Sequence, residues 1–283
     1  MYNKLLITAG GGIIKLDDQS PQDEAATLAI GLGGTGISCL RELKKQVYNK
    51  LKPDNAGAAI KEYRHIKFLA VDTDKSSLGD DGSIDAINSG TEFFDISCRD
   101  IQSLLANRAV LESNHYLDWL RLADPEKGNN GLPILSAIDG AGGVRQAGRL
   151  LLLEKSNEFK NKISNLVSTA RKNLPGGADI NILIFTGLGG GTGSGTFLDV
   201  CYIVNEALTQ MNLYGQAQIC GFFFMPDVNL DKVDTDIVRT YIQVNGFAAM
   251  KELDYCMNFE KNGDEWNQQY NGFTVKTSEP PVK

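Results

Sequence analysis

The chain has 283 residues, 42% of them hydrophobic and 22% charged, the composition of a globular protein able to bury a sizeable core. Its 28 basic and 35 acidic residues leave a formal net charge of −7, which argues against nonspecific nucleic-acid binding, so no nucleic-acid partner is expected. Two histidines, His65 and His115, argue against a His-rich metal centre or a Ser-His-Asp triad. The five cysteines form no CxxC pair, several lie in apolar segments and read as buried thiols in a reducing cytoplasm, and no signal peptide or membrane span is visible.

Residues 1–25 open with LLITAGGGIIKL, two short apolar runs around Gly10, Gly11 and Gly12. No amphipathic helix follows, so a hairpin is preferred to a phosphate loop. Residues 26–52 change pattern: ATLAI is a strand, GLGGTG (31–36) a loop, and Ile37, Leu40, Leu43, Val47 and Leu51 recur at helical spacing before Pro53. GLGGTG matches the dinucleotide fingerprint, which places an acidic residue about 20 positions on. The next strand, IKFLAV (66–71), delivers Asp72 almost twice that far, yet an NAD-dependent oxidoreductase remains the competing reading. The turn after that strand carries Asp72, Thr73 and Asp74. Carboxylates there suit either Mg²⁺ or capping of the next helix.

Residues 79–134 carry less signal: a loop at 80–90, helical spacing at 99–113 and again at 114–122, then a turn-rich loop. Gly140, Ala141, Gly142 and Gly143 form a third small-residue loop with a helix behind it. Arg145 and Arg149 on that helix read either as charge for a ligand or as a solvated face. A further helix carries Phe159, Ile163, Leu166, Val167 and Ala170 inward and is closed by Pro175, Gly176 and Gly177.

The stretch 181–208 organises the rest. Ile182 to Phe185 is short, β-branched and bounded by glycine, as a buried strand is. Gly187, Gly189, Gly190, Gly191, Thr192, Gly193, Ser194 and Gly195 follow, then Phe197, Val200, Cys201, Val204 and Leu208 at helical spacing. Glycines admit a close ligand, and the first amides of a helix have no intrahelical partner, so the unit suits an anion such as phosphate. Thr192, Ser194 and Thr196 add hydroxyl donors. No Gly-Lys-Ser/Thr follows, so the loop is not a Walker A motif. The near-continuous apolar strand QAQICGFFFM, ended by Pro226, suits a parallel sheet covered on both faces. Residues 239–257 read as an amphipathic helix ending at Asn258, and the last residues as a hairpin with a Pro-ended tail.

GGGTGSG at 189–195 resembles the signature of the tubulin/FtsZ superfamily of self-assembling GTPases, and the resemblance extends over roughly residues 26–258. It implies an α/β, Rossmann-like, mostly parallel sheet with helices on both faces, binding GTP or GDP with Mg²⁺. The implied phosphate contacts are Gly33, Gly34, Thr35 and Gly36, the γ-phosphate-sensing loop Gly140, Ala141, Gly142 and Gly143, and Gly189, Gly190, Gly191, Thr192, Gly193, Ser194 and Gly195. Asp72 and Asp74 match an Asn-Thr-Asp turn that approaches the phosphates and metal in relatives, although the first position is aspartate here. Val144 and Arg145 replace the Asn-Pro of related loops. After Pro226 the family places an acidic residue and an arginine on the ribose, with Asp227, Asp231 and Asp236 as the acidic candidates, Asp231 foremost, and Arg239 as the arginine; Asn258 lies near its guanine-edge asparagine.

No catalytic residue follows from the resemblance within these residues. The family's long central helix and second domain are not among them, so the chain is expected to be the nucleotide-binding half of a larger protein. That protein would self-associate into filaments, with hydrolysis completed by the next subunit. The expected units are a hairpin extension (1–25), the GTP-binding domain (26–258) and a C-terminal hairpin and tail (259–283), in a divergent bacterial tubulin-like group. A nucleotide-locked scaffold without turnover is the non-enzyme alternative.

Overall fold

A computed structural model describes residues 5–7, 13–15, 25–51, 64–98, 101–124, 129–130, 141, 143–230 and 233–282. Strands β1 (Leu5–Ile7) and β2 (Ile13–Lys15) pair antiparallel, Leu5 opposite Lys15, as the split apolar runs predict. Gly10, Gly11 and Gly12 lie outside the described residues.

Strand β3 (Ala26–Leu32) runs straight into helix α1 (Gly33–Leu51), and β4 (Ile66–Asp72) and β5 (Phe93–Asp95) follow. The helix expected over 99–113 is two short ones, α2 (Ile101–Ala106) and α3 (Arg108–Ser113), because Asn107 caps the second by accepting from the Val110 N–H. The helical spacing at 114–122 yields only a 3₁₀ turn at Tyr116–Asp118, since His115 adopts a left-handed φ of 56° that no helix continues through. Two-residue strands β6 (Ala123–Asp124) and β7 (Asn129–Asn130) pair with each other.

Helices α4 (Arg145–Glu154) and α5 (Ser156–Arg171) precede β8 (Ile180–Gly187), helix α6 (Thr192–Gln210) and β9 (Ala217–Phe224). A short helix α7 (Asp227–Leu230), the long α8 (Asp236–Met257) and α9 (Phe259–Asn262) lead to the hairpin of β10 (Trp266–Tyr270) and β11 (Phe273–Thr277). That hairpin is packed into the main core through Tyr270 and Val275.

Five strands form one all-parallel sheet in the order β5-β4-β3-β8-β9, with Ile30 registered against Leu69 and Ile184. The expected α/β architecture is therefore present. On one face Leu28, Ile30, Leu32, Ile182 and Ile184 pack with α4, α5 and α6, including Phe159, Ile163, Phe197 and Val200. On the other face α1 lays Ile37 and Leu40 over Ala29, Phe68 and Ala70.

Strand β9 departs from expectation. It is the edge strand, and its apolar run is not covered on both faces. Phe222 stacks on Phe185 at 4.7 Å but remains 42% exposed, because α1 packs over β4, β3 and β8 on that face, with Leu183 and Phe185 of β8 against its cluster, and β9 lies at the edge beyond them.

Candidate functional site

Two strand-to-helix turns meet at the carboxyl edge of the sheet. Strands β3 and β8 are neighbours, with Leu32 opposite Thr186 at their ends, so the loops that leave them lie side by side. Both helices begin inside their glycine motifs rather than after them: α1 starts at Gly33 and α6 at Thr192. The reason is close packing of backbone on backbone. A Cβ at Gly36 would strike the Phe185 carbonyl, one at Gly193 the Thr186 Oγ1, and one at Gly195 the Arg145 carbonyl. Gly33 takes φ of +64° to turn from strand into helix, and a Cβ there would also lie 2.9 Å from the Gly193 nitrogen.

Between the two helix starts lies a cleft of about 120 Å³ lined by Leu32, Gly33, Gly34, Thr35, Gly187, Gly190, Gly191, Thr192 and Gly193. Gly191 holds the N-cap position of α6 and brings no capping side chain, so the first amides of this 19-residue helix are left for a ligand or solvent. Their partial positive charge, added to that of the α1 start, favours an anion. Gly190 faces open space, whereas a Cβ on Gly191 would sit 2.9 Å from the Ala141 Cβ and the Val144 nitrogen. Gly191 thus seats the third loop, where Ala141 is buried and Gly143 has φ of +77°. Gly140, Gly142 and Asp231 lie outside the described residues.

Asp72 ends β4 and is 8% exposed. Its carboxylate accepts from the Thr73 N–H at 2.8 Å and lies within hydrogen-bonding reach of the Thr192 side chain, at the mouth of the cleft. Burial raises its pKa above the usual carboxylate range, against the hydrogen bonds from Thr73 and Thr192 that favour the anion. Asp74 is placed differently. Both its oxygens are engaged by Ser76, the backbone N–H and the hydroxyl, within the turn that follows β4. Among the described residues no group of three or more His, Cys, Asp or Glu could hold a metal by itself.

Of the three expected hydroxyl donors, only Thr192 lines the cleft. The Thr196 hydroxyl donates back to the Thr192 carbonyl at 2.8 Å, and the Ser194 hydroxyl accepts from Arg145 Nε at 2.8 Å. Neither Arg145 nor Arg149 lines the cleft. Arg145 is bidentate to Glu252 and also binds the Ser194 carbonyl. Arg149 pairs with Asp199 at 2.9 Å and Gln268 at 2.8 Å, and the Tyr270 hydroxyl donates to the same Asp199. Arg239, at the start of α8, donates to the Val233 carbonyl. Asn258 caps the far end of α8 by donating to the Asp254 carbonyl, 13 residues and roughly 20 Å along the helix from Asn245.

Three residues of the site were not singled out in the sequence. Thr186 is buried beneath Gly193, Asn229 of α7 hydrogen-bonds Thr35 Oγ1 at 3.2 Å, and Asn245 of α8 donates to the Gly143 and Gly189 carbonyls at 2.8 and 3.0 Å. The one available signal was Asn245 as an amide inside the otherwise apolar run VNGFAAM.

A larger cavity of about 440 Å³ lies behind the first turn of α6, lined by both arginines, Trp119 and Trp266. Its charged groups are already engaged. Trp119 and Trp266 lie against the Arg149 guanidinium, Trp266 also stacks on Tyr202, and each arginine has its carboxylate. It is a polar joint between α4, α6, α8 and the C-terminal hairpin rather than a rival to the glycine cleft. The thiols of Cys201 and Cys256 are buried as expected, and burial pushes both pKa values up, that of Cys256 to about 12. No helix among the described residues is long and apolar enough to cross a membrane.

Among known families, the sequence model described as "Tubulin like" matches residues 28–283. Two similar solved structures are CetZ from Methanosaeta thermophila strain DSM 6194 and CetZ2 from Haloferax volcanii, the latter a GTPgS-bound protofilament. The first is 13% identical with a TM-score of 0.41, covering 84% of this chain and 55% of that one. The second is 15% identical with a TM-score of 0.33, covering 80% of this chain and 56% of that one. The chain thus spans about half the length of the solved structures it matches. No curated protein sequence matches it.

Proposed function

The chain belongs to the tubulin-like family, and from that premise we propose that it binds GTP or GDP with Mg²⁺ in the glycine cleft, as the nucleotide-holding part of a self-assembling protein. The observation that carries the reading is the meeting of two helix starts, α1 and α6, on one glycine-walled cleft, one of them without a side-chain cap. Amides fixed there receive phosphate oxygens without reorganisation. Asp72 beside Thr192 is the carboxylate suited to a Mg²⁺ that completes its shell with phosphate oxygens and water. The metal would supply charge neutralisation of the phosphates when bound.

Among the described residues lining the cleft there is no carboxylate, histidine or lysine to orient an attacking water. The chain's own work is therefore binding and positioning, and turnover is completed by a neighbouring subunit in a filament. On this reading the protein acts in the cytoplasm.

Thermal unfolding with GTP–Mg²⁺, ATP–Mg²⁺ and NAD tests the reading. A nucleotide at ~100 times its dissociation constant stabilises the fold by about 2.7 kcal/mol. GTP should produce this shift and NAD should not. A shift with NAD alone would replace the reading with the dinucleotide one.

A further inference from the structure

Helix α8 stands mostly clear of the fold, yet its middle is seated tightly. Gly246 lies against Pro226 so closely that a Cβ would collide with the proline ring, and Ala249 is fully buried. One residue before Gly246, the Asn245 side-chain amide donates to the Gly143 carbonyl at 2.8 Å and to the Gly189 carbonyl at 3.0 Å. These carbonyls belong to two different loops, one leading into α4 and the other following β8. Ile242, one turn earlier on α8, packs on Gly189 as well, 2.6 Å from where its Cβ would stand.

In a planar trans peptide the N–H points opposite to the C=O. Drawing the Gly189 carbonyl toward α8 therefore turns the Gly190 N–H away from α8, and Gly190 lines the cleft with nothing within 4 Å of its Cβ position. Drawing the Gly143 carbonyl the same way holds the Ala141–Val144 turn, closed by the Val144 N–H on the Ala141 carbonyl at 2.8 Å, against Gly191. One amide with two protons thus sets two peptide planes around a cleft built from glycines, which have no side chains to hold them.

We propose that Asn245 is a positioning residue for phosphate binding: it locks the Gly189–Gly190 and Gly143–Val144 peptides into the donor geometry that receives the ligand. The inference rests on the phosphate-cleft reading above and assigns to α8 a part that neither glycine motif reveals.

The test compares unsubstituted protein with Asn245→Ala and Asn245→Asp by calorimetric titration of GTP–Mg²⁺ and GDP–Mg²⁺, with circular dichroism and Tm on each. Asp has the shape of Asn but, when ionised, no donor. A packing role would survive Asn245→Asp, whereas a positioning role through donation would be lost. Both variants should weaken nucleotide binding by about tenfold or more, as expected for two neutral hydrogen bonds, with helix content unchanged. An Asn245→Asp protein that binds as tightly as the unsubstituted one overturns the inference while leaving the nucleotide reading intact. An unsubstituted protein that binds neither nucleotide removes the nucleotide reading and the inference with it. Should neither variant fold, the unsubstituted protein still decides. Its Asn245 side-chain amide protons should exchange slowly by NMR and shift on addition of GTP–Mg²⁺; free exchange with no shift overturns the inference.

Discussion

Helices α6 and α8 follow adjacent strands β8 and β9 and are of similar length, 19 and 22 residues, but the fold treats them oppositely. In α6, fifteen residues are buried, including Phe197, Val200, Tyr202 and Val204. In α8 only Gly246, Ala249 and Cys256 are buried, while Ile237, Tyr241, Val244 and Phe247 face outward. α8 carries more charge than α6, yet it also holds large apolar side chains that stay exposed, so composition alone does not explain the contrast. Position does: α6 lies in the layer between the sheet and the C-terminal hairpin, whereas α8 follows the edge strand and touches the rest of the fold at a few points, through Gly246, Ala249 and Cys256, through Ile242 and Leu253, and through the polar groups of Asn245 and Glu252. A buried helix can fix its N-terminus rigidly enough to serve as a binding surface. A helix seated at a few points steadies loops instead of building core.

The sharpest way to break that contrast is to truncate the same residue type in each helix. Phe197→Ala, at 1% exposure and in edge contact with Phe223 at 5.2 Å, should cost about 3–5 kcal/mol by urea unfolding. Phe247→Ala, at 66% exposure, should change stability by no more than about 0.5 kcal/mol. Similar losses at both sites would mean that α8 is packed in solution.

A smaller effect probes why α6 begins inside the glycine run. Gly193→Ala pushes a methyl into Thr186 and toward the Leu32 carbonyl, and should cost roughly 1–3 kcal/mol as an overpacked site. Gly190→Ala, which meets nothing within 4 Å, should leave the ligand-free fold almost unchanged and weaken nucleotide binding. Equal destabilisation by the two would show that Gly190 is a packing glycine too.

The smallest expected effect is a pH slope at Asp72. Burial raises its folded pKa, so the folded protein holds that proton more tightly than the unfolded chain does. The resulting stabilisation is present below the unfolded pKa and is lost as pH rises through the folded one. In ligand-free protein, Asp72→Asn should therefore flatten this part of the stability–pH curve and be no less stable than the original at neutral pH. At the same time it should weaken nucleotide binding that depends on Mg²⁺. A variant that is less stable at neutral pH would show that the anion is favoured by its neighbours rather than penalised by burial.

Much of the architecture was legible along the chain. The apolar runs of β3, β4, β8 and β9 are short and bounded by glycine or polar turns, and the helices between them keep their spacing, so an α/β sheet follows from local pattern alone. Where each helix starts was not legible. Glycine propensity argues against beginning α6 at Thr192, and only the close approach of Thr186 and the Leu32 carbonyl makes glycine the residue that fits there. Nor was the split at Asn107 or the left-handed His115, since both are single-residue choices of backbone angle within a helical apolar pattern.

The sequence by itself determined the cleft's chemistry: GLGGTG and GGGTGSG each follow a strand and open a helix, and local backbone physics makes such turns anion-seeking whatever surrounds them. The tertiary structure decided which side chains share that cleft. Arg145 and Arg149 have the charge for a phosphate but lie on the other side of α6, held by Glu252 and Asp199, while Asn245, with no charge and about fifty residues after the loop it steadies, sits on two of the loop carbonyls. Glycine loops carry their function in the backbone, which is local. The partners that hold that backbone come from wherever the chain returns, and only packing selects among them.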